Sequence, residues 1–244
     1  MGDADSAGGP QAAPTDLFLF KKGFSFAVDG PGNRLVYHLR GCNFRCPWCA
    51  NPECFLPFGA GVPLADILKE AEQARPIYIA GGGVTFTGGE PTCQFEALRE
   101  ALRGLRERGI HTCVESNAAH PDLPALFEFV DLLILDCKHY DSALHEKWTG
   151  QGNGQVLANI QKAAQAGVNL LVRIPLVGGV NASPGDAAAF AALFRTLGAF
   201  PVELLRYHEY GKPKWERQGM VYGMENAQVS EREMKEFERI FLGK

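Results

Sequence analysis

The sequence holds no apolar run of the roughly 18 to 20 residues that a membrane-spanning helix needs, so no membrane partner is expected. It also lacks the apolar core of a secretory leader. Residues 1–15 are rich in Ala, Gly, Pro and Asp, which reads as a flexible tail and leaves the cytoplasm as the expected location. Positive charge is not in excess: 24 Lys and Arg face 28 Asp and Glu, for a net charge of −4. Nucleic acid is therefore not expected as a partner, because phosphate binding needs a concentrated basic surface. Internal repeats are absent. Cysteine is too oddly distributed for a disulfide framework, with seven in all and three of them crowded between Cys42 and Cys49. Such crowding in a chain of this length points to a metal centre.

What is present is ordinary for one globular domain, here residues 16–244, with 46% hydrophobic and 21% charged residues. Short apolar runs alternate with amphipathic ones. Strands are expected at Leu35–Leu39, Val84–Thr87, His111–Glu115, Asp131–Lys138, Asn169–Pro175 and Val202–Tyr207. Helices are expected at Pro63–Arg75, Phe95–Arg108, Leu123–Phe129, Gln155–Ala166, Gly185–Leu197 and Glu231–Phe241, with Gly109 and Gly167 as stops. The run Leu132–Leu135 is apolar on both faces, as in a strand covered on both sides. This α/β alternation implies a parallel sheet. Six such strands suit a partial or complete β/α barrel, which periodicity alone does not separate from an open doubly wound sheet.

Polar and glycine residues gather at the ends of these strands. Cys42, Gly88-Gly89-Glu90, Glu115-Ser116-Asn117, Asp136 with Lys138, Arg173 and His208 each fall at or just past a strand's C-terminal end. In parallel β/α folds that edge carries the active site. Cys42, Cys46 and Cys49 form C-x3-C-x2-C, a set of soft ligands suited to iron–sulfur clusters or zinc. Three thiolates on one loop can hold a cubane and leave its fourth iron open. A closed zinc site would need a fourth ligand such as Cys54, and the sequence offers no second matched cysteine pair. Cys113 and Cys137 lie in apolar stretches and read as small buried hydrophobes.

C-x3-C-x2-C after one strand and Gly-Gly-Glu after the next resemble the radical S-adenosylmethionine (SAM) superfamily. More narrowly, the chain is similar to the glycyl radical enzyme activating enzymes, including their pyruvate formate-lyase branch. The similar stretches are VDGPGNR (28–34), GGGVTFTGGEP (81–91), GIHTCVESN (109–117), LDCK (135–138), VRIPLVGG (172–179) and YHEYGKPKW (207–215). The resemblance implies a partial (β/α)6 TIM-like barrel and an oxidoreductase with a [4Fe–4S] cluster and SAM as cofactors. Reductive cleavage of SAM would give a 5′-deoxyadenosyl radical that takes hydrogen from a glycine of a partner, a glycyl radical enzyme. A flavodoxin or ferredoxin would donate the electron, and the activase itself would be a monomer. The other enzyme reading is a radical SAM enzyme acting on a small molecule.

Carried over residue by residue, Cys42, Cys46 and Cys49 would ligate the cluster. Trp48, Ala50, Gly88, Gly89, Glu90, Ser116 and Asp136 would line the SAM site, with Lys138 and His208 meeting its carboxylate. Arg173 would join that polar ring, and Asp29 would hold the partner's glycine loop. Three departures stand out. Ala-Asn-Pro-Glu follows the third cysteine, Glu115-Ser116 replaces the family's usual Asp-Thr, and residues 50–80 are too short and cysteine-poor for a ferredoxin-like insert.

Overall fold

The structure, a computed structural model, describes residues 15–244. The expected tail, residues 1–15, lies outside the described residues except for Thr15. Seven strands form one sheet in simple chain order: β1 (Leu19–Phe26), β2 (Asn33–Leu39), β3 (Gly83–Gly88), β4 (Thr112–Ser116), β5 (Leu132–Asp136), β6 (Leu170–Leu176) and β7 (Val202–Arg206). β2 to β7 are parallel, whereas β1 is antiparallel to β2. In a doubly wound sheet the order reverses at a switch point. Here each strand adds to the same side, as in a barrel, and β7 does not pair back to β1 among the described residues. The six parallel strands therefore form the expected partial barrel, left open between β7 and β1.

The helices are α1 (Leu64–Gln73), α2 (Phe95–Glu107), α3 (Ser142–Thr149), α4 (Gly154–Gln165), α5 (Pro184–Leu197), α6 (Lys212–Arg217) and α7 (Glu231–Phe241). Gly109 and Gly167 close α2 and α4 with positive φ. Ser183 with Asp186, and Ser230 with Glu233, form capping boxes that start α5 and α7. Leu123–Phe129 is a 3-10 rather than an α-helix, with Pro in its first turn. No helix among the described residues is long and apolar enough to cross a membrane.

Alternation along the strands sorts the two faces. Val114, Leu133, Leu135, Val172 and Ile174 join the core shared with Leu98, Leu102, Ile160 and Phe190 of the helices. Each such side chain contributes about 1.5–3 kcal/mol by burial. The inner face carries Val36, Cys113 and Ile134 and a connected set of polar groups. Arg34, Thr85, Thr87, Glu115, Asp136, Arg173 and Glu203 all point into the barrel, as strand register and their mutual hydrogen bonds establish. Cys113 and Cys137 are both fully buried, Cys137 in the apolar core but Cys113 on the inner face, opposite Thr85.

Candidate active site

The cysteine loop leaves the C-terminal end of β2 and is pinned from four sides. Arg45 N donates to Thr149 O at the end of α3 (2.8 Å). Asn117 Nδ2, just past β4, donates to Asn43 Oδ1 (2.7 Å). Lys214 Nζ of α6 donates to Ala50 O (2.8 Å) and Asn51 Oδ1 (2.9 Å), and Trp215 Nε1 donates to Cys49 O (2.8 Å). On the fourth side, Gly89 and Glu90 lie against Gly41, whose carbonyl accepts from Glu90 N (2.8 Å). A Cβ on Gly211 would come within 2.5 Å of Cys49 O, so only glycine lets α6 approach the loop this closely. Asn43, Asn117, Gly211, Lys214 and Trp215 carry no recognisable ligand spacing; the segment holding the last three stood out in the sequence only through YHEYGKPKW.

The donor set fits an iron–sulfur cluster. Phe44 N–H donates to Cys42 Sγ and Asn51 N–H to Cys49 Sγ, both at 3.4 Å, the hydrogen bonding that cluster thiolates take. A hydrogen bond from the Cys54 thiol lowers the Cys49 thiol's pKa against burial, assisted by Asn51 N–H and the Lys138 and Lys214 cations. Burial pushes Cys46 the other way, to about 12, with Lys138 opposing; metal binding overrides such a shift because the ligand must be thiolate. Among the described residues no group of three or more His, Cys, Asp and Glu is placed around a single metal ion. The fit therefore rests on three separate thiol donors, with the buried Cys54 thiol against Cys42 and Cys49.

Around this loop the other expected residues fall into distinct settings. Gly88 has a positive φ of 117°, and Gly89 N donates to Leu39 O (2.9 Å), which holds this turn tight against β2. Glu90 is buried, and its carboxylate accepts from Thr92 N, Thr92 Oγ1, Ser116 Oγ and Asn117 N at 2.6–3.0 Å. Burial raises its pKa while these four donors work against the rise. Its oxygens thus serve to lock the ends of β3 and β4 together. Lys138 Nζ donates to Asp136 Oδ2 (2.6 Å). Burial alone would lower the Lys138 pKa, but Asp136 and the sulfurs of Cys46 and Cys49 outweigh it, so the ammonium stays charged. Trp48 is buried against Trp148, with ring centroids 6.2 Å apart. His208 is exposed and stacks on Tyr210 at 4.2 Å. No hydrogen bond joins Lys138 to His208 among the described residues.

Arg173 requires a correction. It is not at the end of its strand: β6 runs on to Leu176, and Arg173 is its fourth residue, facing inward. Its guanidinium binds Glu115 Oε1 (2.7 Å), Glu203 Oε2 (2.5 Å) and Val28 O (3.1 Å). Glu115 and Glu203 raise the Arg173 pKa against its burial. The β1–β2 loop is held in the barrel at two points, by this Val28 contact and by Thr85 Oγ1 donating to Asp29 O (2.6 Å), which leaves Asp29 half-buried. Arg173→Met would strand the buried Glu115 carboxylate. It is expected to cost about 3 kcal/mol, read as a lower midpoint in chemical denaturation of the purified chain.

The comparisons with known proteins follow the same lines. The chain matches the radical SAM superfamily over residues 36–191. It superposes with a TM-score of 0.63 on a radical SAM methyltransferase from Sphaerobacter thermophilus, at 17% identity over 94% of this chain and 75% of that one, a likeness of fold. A solved domain of pyruvate-formate lyase-activating enzyme from Bacteroides vulgatus has a TM-score of 0.55 and 30% identity, covering 67% of this chain and 94% of its own. Pyruvate formate-lyase 1-activating enzyme of Escherichia coli (strain K12) is 33% identical over 216 residues, 86% of this chain and 88% of the relative. With the cysteine loop and open barrel already in place, these matches make the chain a member of the pyruvate formate-lyase-activating enzyme family within the radical SAM superfamily.

Proposed function

We propose that this chain installs a radical on a glycine of a partner protein, a glycyl radical enzyme. Its cofactors are those of the superfamily, a [4Fe–4S] cluster and SAM, which together supply a hydrogen-abstracting radical when one electron enters. Cys42, Cys46 and Cys49 hold the cluster. The side-chain-free backbone of Gly88 and Gly89 meets the methionyl amino group, and Glu90 fixes that turn from behind. Lys138, kept charged by Asp136, and His208 would meet the carboxylate and Trp48 and Ala50 would form the wall, while Ser116 braces the turn through Glu90. Asp29 serves the protein substrate, and Arg173 braces the loop that carries it through Val28 O. The electron comes from a flavodoxin or ferredoxin, and the activase works as a cytoplasmic monomer.

The observation that carries this reading is the opening between β7 and β1, with the Asp29 loop folded beside it into a polar interior. A barrel open along one side admits a polypeptide loop. Mixed anaerobically with SAM, a reductant and the glycyl radical enzyme encoded beside it, this chain should produce a glycine-centred doublet in the electron spin resonance spectrum. SAM cleavage with no radical on that protein would defeat the proposal.

A further inference from the structure

His38 is the sixth of the seven residues of β2 and lies opposite Thr87 of β3. Its neighbour Tyr37 points outward, where the hydroxyl donates to Glu70 of α1 (2.9 Å), so alternation turns His38 inward. It thereby extends the polar inner ladder one strand beyond Thr87, toward the open side of the sheet. The rest of that ladder is matched. Thr87 donates to Glu115, Arg173 joins Glu115 to Glu203, and Arg34 donates to Thr85. His38 differs: its Nδ1 is buried and has no hydrogen-bond partner, while its ring packs on Phe20 of β1 at 5.7 Å.

An unmatched buried polar group costs about 1–3 kcal/mol, and an apolar residue would fill this place on β2 without that cost. The charges that act on the ring are those of Lys21, its cross-strand partner on β1, Asp29 in the β1–β2 loop, Lys214 on α6 and Glu53 beside the cysteine loop. His38 thus stands between the loop proposed to hold the protein substrate and the residues that brace the cysteine loop. Burial pushes the imidazole down to about 4, so at neutral pH it offers one N–H and one lone pair. Because χ2 of histidine is soft, either nitrogen can turn to the interior. Amide N–H and C=O groups alternating along an extended chain match such a group in either orientation.

We propose that His38 is a positioning residue for the protein substrate, hydrogen-bonding the main chain of the glycine-bearing segment as it lies in the barrel beside Asp29. The inference rests on the activase reading above. The test uses His38→Phe, which keeps a ring without nitrogens, and His38→Gln, which keeps a donor and an acceptor. The substrate is the glycyl radical enzyme encoded beside this chain, and SAM binding is followed by the spectral change of the reduced cluster. His38→Phe should raise KM for the protein substrate about 5- to 10-fold, the scale of one hydrogen bond, with kcat and SAM affinity unchanged. His38→Gln should recover most of the loss. Should the Phe variant not fold, His38→Leu takes its place in the comparison. An unchanged KM would overturn the inference, as would a loss of SAM affinity instead, which would assign the nitrogen to the cofactor. If the wild-type chain forms no glycine-centred radical, the activase reading falls first, and that result is distinct from a radical-forming wild type with an indifferent His38.

Discussion

Cys46→Ala should abolish SAM cleavage while leaving the chain folded. Cys46 is 8% exposed and packed in the main core, between Cys42 and Cys49 in the loop. Losing its sulfur removes one of three cluster ligands, and the remaining two thiols do not hold a cubane. The packing loss is small, of the order of 1 kcal/mol for a point change of this kind. The wild-type chain, reconstituted anaerobically, should carry about four irons and matching sulfide. The variant should retain little iron, give no 5′-deoxyadenosine, and keep the circular dichroism of the parent. Full product from the variant would remove Cys46 from the ligand set, and stoichiometric zinc in place of iron in the parent would remove the cluster.

Gly89→Ala should be nearly as damaging for a purely steric reason. An added Cβ would stand 2.0 Å from Gly41 O and 2.8 Å from Cys54 Cβ. Both lie in or beside the cysteine loop, so relief of the clash must part that loop from the Gly88–Glu90 turn. The carbonyl that blocks the methyl is also the acceptor for Glu90 N at 2.8 Å, so the contact cannot relax without breaking the bond that aligns the two segments. A misplacement of this size costs about 100-fold in turnover. The control is Gly59→Ala, where an added Cβ meets nothing within 4 Å. The pair should differ by about two orders of magnitude in kcat/KM, with no cluster spectral change on SAM addition for Gly89→Ala. Equal activity of the two would show that the turn has slack.

The six parallel strands were legible because each is a short apolar run bounded by turn chemistry, and five of the six expected helices because their apolar faces repeat at helical spacing; the sixth, Leu123–Phe129, is a 3-10 helix. The elements that went unread have physical reasons. β1 carries Phe24 and Phe26 exposed at 46% and 65% with Lys21-Lys22 between its apolar residues, so it shows no clean alternation. α3 and α6 span eight and six residues, too short for periodicity to speak. Arg173 was grouped with the strand-end residues, but it is the fourth residue of β6, which runs on through Pro175 to Leu176. The cysteines announced themselves by spacing alone. The groups that brace them did not, since Trp215 reaches a main-chain carbonyl 166 residues away and no local pattern encodes that contact. His38 was hidden for a related reason. Its importance lies in a nitrogen left without a partner, and sequence does not reveal such an omission.

The reach of α6 bears on how the protein matures. The lysine that grips Ala50 and the tryptophan that grips Cys49 are synthesised 164 and 166 residues after them. The receptacle for iron and sulfide is therefore complete only once both segments exist and have met.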